Sequence, residues 1–152
     1  PKLKKDYRFF RQDFKKMIKG YTAGAFDLFH IGHLNLIKRA KENCDYLIVG
    51  ITTDELIEKN KGKTPVIKFE ERIEIVKSIK YVDEVCIQDD LNKVKAWEKF
   101  HYDILFMGDD WKNCKRFIEY EKELNKKGAK VIFFPYTKTT SSTLITKIIK
   151  DM

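Results

Sequence analysis

Short apolar runs alternate along the chain with longer segments whose apolar side chains recur every three or four residues. Runs at 21–24, 46–51, 84–87, 104–107 and 131–134 predict strands. Four of them are dense in Val, Ile, Leu or Phe, as expected for strands covered on both faces. Helical periodicity marks 32–43, 68–80, 92–101, 114–127 and 141–151. Regular alternation of this kind predicts one Rossmann-like α/β domain over 20–152, a parallel five-stranded sheet with helices on both faces. Ligands of such sheets collect beyond the carboxyl ends of the strands, where strand order reverses. The loops that follow strands are therefore the places to look for chemistry, and the longest irregular stretch, 59–68, lies in one of them.

Residues 1–19 stand apart. Leu3, Tyr7, Phe10, Phe14 and Met17 recur at steps of four and three, which predicts a basic amphipathic helix. The formal charge of +8 is concentrated here, since 1–19 carries eight Lys or Arg against Asp6 and Asp13, leaving +2 for the remainder. A nucleic-acid-binding module is therefore disfavoured. The amphipathic face packs on its own domain or on a second subunit, or it meets a membrane surface or an anionic partner. Cys44, Cys86 and Cys114, odd in number and widely spaced, fit neither a disulfide framework nor a zinc cluster. With no apolar run approaching a membrane span and no signal-like segment, a cytoplasmic protein is expected.

The first strand runs into Ala23-Gly24-Ala25-Phe26-Asp27-Leu28-Phe29-His30-Ile31-Gly32-His33, after which helical periodicity begins. Small residues let backbone N–H groups approach a ligand, and the helix start adds unpaired donors and partial positive charge. His30 and His33 flank Gly32, whose missing side chain leaves room for a nucleotide. Two imidazoles beside a phosphate suit a reaction that builds charge on non-bridging and leaving oxygens. Taken alone, a His-x-x-His pair also describes a structural pair or half of a metal site.

The complete string closely resembles the signature of the cytidylyltransferase family, whose His-x-Gly-His element also occurs in class I aminoacyl-tRNA synthetases. Blocks at 45–55, 81–85 and 107–111 resemble the same family, so the likeness covers nearly everything from residue 20 onward. Met107-Gly108-Asp109-Asp110-Trp111 is most like the block of the glycerol-3-phosphate cytidylyltransferases. The resemblance implies CTP and a phosphorylated alcohol as substrates, Mg²⁺ on the triphosphate rather than on protein side chains, and a homodimer. Choline phosphate, ethanolamine phosphate or another polyol phosphate are the alternative acceptors, and ATP is the alternative nucleotide.

Lys59-Asn60-Lys61-Gly62-Lys63-Thr64-Pro65 reads as a mobile loop, too polar and too Gly/Pro-punctuated for a helix. By resemblance Lys61 and Lys63 join His30 and His33 as catalytic residues. Lys61, Arg72, Lys93 and Trp111 are expected on the acceptor side. Gly24, Ala25, Phe26, Asp27, Gly32, Asp109 and Asp110 are expected around the nucleotide. Near the last helix, Tyr136-Thr137-Lys138-Thr139-Thr140-Ser141-Ser142-Thr143 makes a hydroxyl-rich polyphosphate turn. Tyr136, Thr137, Ser141, Ser142 and Thr143 are assigned to CTP there. Tyr136 stands where the family has an arginine, so one bidentate phosphate donor is replaced.

Overall fold

A computed structural model describes residues 16–152. Five parallel strands, β1 (Lys19–Gly24), β2 (Tyr46–Thr52), β3 (Glu84–Gln88), β4 (Ile104–Gly108) and β5 (Lys130–Phe134), form one sheet in the order β3-β2-β1-β4-β5. The order reverses between β1 and β4, which places the ligand crevice at the carboxyl ends of those two strands. Six helices connect or follow the strands: α1 (Ile31–Glu42), α2 (Asp54–Lys61), α3 (Phe69–Lys77), α4 (Lys93–Phe100), α5 (Lys115–Lys126) and α6 (Ser142–Asp151).

Each sheet face carries its own core. On one face Ile37 and Ala40 of α1 and Val76 of α3 pack on Leu47, Val49, Ile51 and Phe106. On the other, Tyr21, Ile48, Leu105 and Met107 meet Phe117 and Leu124 of α5 and partly buried residues of α4. Truncating a fully buried member such as Leu47 costs about 2–5 kcal/mol. Gly20 is required by packing, because a Cβ there would lie 2.5 Å from Phe106 and 2.7 Å from Cys44. The expectation of strands covered on both faces fails at the edges. Edge strand β3 leaves Ile87 56% exposed, and β5 is only half-buried.

The amino-terminal edge of the sheet is closed by aspartates. Asp45, Asp83 and Asp103 accept the backbone N–H of Ile18, Leu47 and Lys19, while their own N–H groups bond Ile18, Leu47 and Lys19 carbonyls. These side chains bond the strand starts before the ladders take over. The opposite edge is left for ligands.

The reading of 59–65 as a loop is corrected. Lys59 and Lys61 belong to the last turn of α2, an eight-residue helix. Its stability comes from its ends: the Thr53 hydroxyl accepts from Leu56, Asp54 and Glu55 sit in the first turn, and Gly62 closes the helix in the left-handed conformation at φ 63°. The leader 1–19 lies outside the described residues up to position 15. Lys16–Ile18 carry no helix and Lys19 already belongs to β1, so the expected helix does not extend to residue 19. Among the described residues no helix is long and apolar enough to cross a membrane.

Candidate active site

The loop leaving β1 bends sharply into α1. Phe26 and Leu28 both adopt left-handed backbone, at φ 52° and 51°, a conformation that L-residues rarely hold without surrounding support. That support comes from Asp27 between them. Its Oδ2 accepts the Val66 N–H at 2.8 Å, and its Oδ1 accepts those of Ile67 at 2.9 Å and Leu28 at 3.1 Å. The Asp27 carbonyl accepts the Ser142 hydroxyl at 2.6 Å. Asp27, expected at the nucleotide, thus ties together the first loop, the segment before α3 and the start of α6.

His30 and His33 form a capping box. Nδ1 of His30 accepts the Gly32 N–H at 3.0 Å, and Nδ1 of His33 accepts the His30 N–H at 3.2 Å. Accepting a backbone N–H requires an unprotonated Nδ1, so each neutral ring carries its proton on Nε2. The rings stack with centroids 3.8 Å apart. Burial, then the neighbouring His30, pushes His33 down to about 4, and burial lowers His30. The pair therefore offers two neutral N–H donors, suited to phosphate oxygens and not to general-base work. The space at Gly32 is taken by the protein itself, since a Cβ there would lie 2.7 Å from the His30 ring. The glycine lets the ring fold back onto the helix start, a correction to its expected role of leaving room for a nucleotide.

The last loop is brought onto the same helix. Asn35 donates to the Thr137 hydroxyl at 3.3 Å, Arg39 to the Pro135 carbonyl at 3.5 Å, and the Tyr136 N–H to Asp109 at 3.1 Å. Ser141 caps α6 by accepting from Leu144, while Thr143 is exposed. Asp109–Trp111 form a single 3-10 turn after β4. Gly108 is needed there because a Cβ would lie 2.6 Å from the Asp110 carboxylate, and burial followed by the adjacent Asp109 raises the Asp110 carboxyl. Trp111 packs its ring 5.1 Å from that of Phe117. Gly24, Ala25, Phe26, the histidines, Asp109, Thr137 and Ser142 therefore converge at the β1/β4 switch point.

Other expected residues fall elsewhere. Lys61 and Lys63 are exposed and make no ion pair among the described residues. Arg72, expected on the acceptor side, is 1% exposed and its guanidinium donates to the Ala25 carbonyl (2.6 Å), the Ile67 carbonyl (2.9 Å) and Asp54 (2.6 Å). Asp54, which sequence reasoning missed, also accepts the Phe69 N–H at 3.2 Å. The Thr53-Asp54 pair at a helix start was its only local signal. Lys93 opens α4 and is 4% exposed, with burial pushing its ammonium down to about 8.

A family model described as Cytidylyltransferase-like matches residues 21–148. The chain belongs to this family. As a cytidylyltransferase-like protein it is a nucleotidyltransferase by class. It is 39% identical over 132 residues to the glycerol-3-phosphate cytidylyltransferase of Bacillus spizizenii, covering 86% of this chain and 96% of that one. It is 33% identical over 139 residues to the FAD synthase of Thermococcus sibiricus, covering 91% and 94%. Among solved structures, the lipopolysaccharide core biosynthesis protein of Thermoplasma volcanium superposes with a TM-score of 0.67 at 27% identity, covering 82% of this chain and 99% of that one.

Proposed function

We propose that this nucleotidyltransferase transfers CMP from CTP to glycerol 3-phosphate, forming CDP-glycerol and pyrophosphate, as a precursor supply for a cell-surface polymer. The observation that carries the reading is the Gly108–Trp111 block, folded as a turn that holds the last loop through Asp109 at the switch point beside the histidines. The identity with the Bacillus spizizenii relative over nearly its whole length supports the same acceptor.

In this reading an oxygen of the acceptor phosphate attacks the α-phosphorus. The new P–O bond forms as the bond to the β-phosphate oxygen breaks, and pyrophosphate leaves with the electron pair. No protein nucleophile is needed, because a phosphate dianion already attacks competently. The Nε2–H groups of His30 and His33 stabilise charge on the phosphate oxygens, and Lys61 and Lys63 add mobile positive charge. Asp109 and Asp110 accept hydrogen bonds from the nucleoside, and Thr137, Ser142 and the α6 start receive the polyphosphate. Mg²⁺ bound with the triphosphate would supply further charge neutralisation. The described residues include no cluster of three His, Cys, Asp or Glu side chains that would hold a metal.

The FAD synthase likeness favours a second reading, adenylyl transfer from ATP to FMN. A pyrophosphate-release assay pairing CTP and ATP with glycerol 3-phosphate, choline phosphate, ethanolamine phosphate and FMN decides between them. Turnover of CTP with glycerol 3-phosphate is expected. Turnover of ATP with FMN alone would replace the first reading with the second.

A further inference from the structure

Near the carboxyl edge of the sheet, the buried polar side chains Gln88 and Lys93 take no part in the hydrogen bonding of the histidine loop. Gln88, the last residue of β3, is 4% exposed; its Oε1 accepts the Thr52 hydroxyl at 2.7 Å and its Nε2 has no partner among the described residues. Thr52 lies directly opposite on β2, so its hydroxyl fixes the oxygen end of the amide and leaves the N–H pair over. Lys93 is buried to the same degree, with no carboxylate at ion-pair distance among the described residues. The ionisable groups that act on Lys93 are Cys86 and Asp90. Cys86 shares a face of β3 with Gln88, because alternate strand residues point the same way. The spare amide N–H pair of Gln88 and the Lys93 side chain therefore lie on one side of the β3 end, roughly two strand spacings, ~10 Å, from the end of β1.

Leaving the amide N–H pair buried without a partner is unfavourable, and native structures contain few such groups. A ligand that supplied an oxygen atom there would satisfy it. We propose that Gln88, aimed by Thr52, is a specificity-determining residue whose Nε2 donates to an uncharged hydroxyl oxygen of the acceptor, so that the site takes hydroxylated phosphate monoesters and rejects ammonium-bearing ones. This rests on the reading above that the acceptor is a phosphorylated alcohol. The selectivity follows from chemistry at both groups. A trimethylammonium head has no lone pair for the amide and brings a second cation toward Lys93, where weak solvation magnifies repulsion. A primary ammonium is a donor only and meets the same two obstacles. A glycerol chain carries hydroxyl oxygens of the kind the amide lacks.

The test has two stages. The wild-type enzyme is first run on the acceptor panel above, which alone judges the assigned reaction. Gln88→Met and Gln88→Glu are then compared with wild type on the acceptor it uses best. For Gln88→Met, a rise in acceptor KM of roughly tenfold is expected, the loss of about one hydrogen bond. Nucleotide KM should not change, and Tm should hold or rise because an unpaired buried amide has been removed. Gln88→Glu should narrow the preference against ammonium-bearing acceptors. Thr52→Val provides a second variant, with a smaller acceptor KM rise and no nucleotide effect. An acceptor KM within about threefold of wild type in Gln88→Met overturns the inference, as does a wild-type preference for choline or ethanolamine phosphate. If FMN proves to be the acceptor, the assigned reaction is wrong while the inference stands or falls on the ribityl hydroxyls through the same KM comparison.

Discussion

His30 and His33 cap the same helix through the same ring atom, each using Nδ1 to accept a backbone N–H and so keeping its proton on Nε2. Two functions are thereby combined in each ring, and substitution can separate them. Replacement by alanine should remove most turnover and also destabilise the fold by about 0.5–2 kcal/mol, the usual cost of a lost cap. Asparagine at 30 and glutamine at 33 retain capping acceptors at the N-cap and third helical positions while losing the Nε2–H donor. His30→Asn and His33→Gln should therefore recover most of the melting temperature but not the turnover, which should stay about 10²–10³ below wild type. Recovery of turnover along with Tm would show that the rings serve as caps alone.

The pH dependence of stability should carry the mark of His33. Its folded value of about 4 lies below the usual 6.5, so between those values the unfolded chain binds the proton and the folded chain does not. Stability is then complete above pH 6.5 and falls as pH drops toward 4. Urea titrations of wild type and His33→Gln across this range should differ by a contribution that grows with acid. A constant difference would contradict the buried, neutral assignment.

Lys93 gives a second window of the same sign at higher pH. Its folded value near 8 lies below the usual 10.5, so the unfolded chain holds the extra proton between those two values and stability rises with pH there. Lys93→Met should raise Tm at pH 7, an advantage that shrinks as pH climbs from 8 toward 10.5. The same variant should raise acceptor KM. In wild type, acceptor affinity should weaken above pH 8 as the free enzyme loses this charge.

Arg72 connects Ala25 of the first loop to Asp54 and Ile67. Removing one partner of a buried charged pair costs about 3–5 kcal/mol, and Arg72→Met should fall near the lower end because Asp54 is 26% exposed. If Arg72 instead met the acceptor, the variant would lose acceptor affinity while keeping its urea midpoint.

We propose that the chain is a homodimer, since α6 leaves Leu144, Ile148 and Ile149 41–58% exposed. Light scattering at micromolar concentration should give twice the monomer mass. A persistent monomer would count against it.

The strands were legible because apolar runs such as 46–51 are dense in branched residues, and the first-loop signature marked the switch point directly. What escaped has a physical pattern. Helix α2 is polar through its second half and is specified by its ends, Thr53 and a left-handed Gly62, more than by periodicity. Asp27 and the backbone of Val66 are 39 residues apart, a separation at which local reading carries no information. Arg72 stood on a recognised position, yet only the packed structure shows that it is buried and that each of its three nitrogens donates within the protein. Gln88 carried one signal: a polar side chain directly after the apolar run 85–87.

The strap from Asp27 to Val66 and Ile67 also limits how far Lys63 can travel. Gly62 ends α2 and Val66 is pinned, so Lys63 sits on a tether of only a few residues, each able to span at most about 3.3–3.6 Å. The ammonium is thus kept near the first loop at an effective concentration in the millimolar range typical of short linkers. A small amine supplied from solution would have to reach that range before it could stand in for the side chain of a Lys63→Ala enzyme. Lengthening the tether with glycines should dilute the lysine in the same sense, lowering turnover while every residue of the site remains in place.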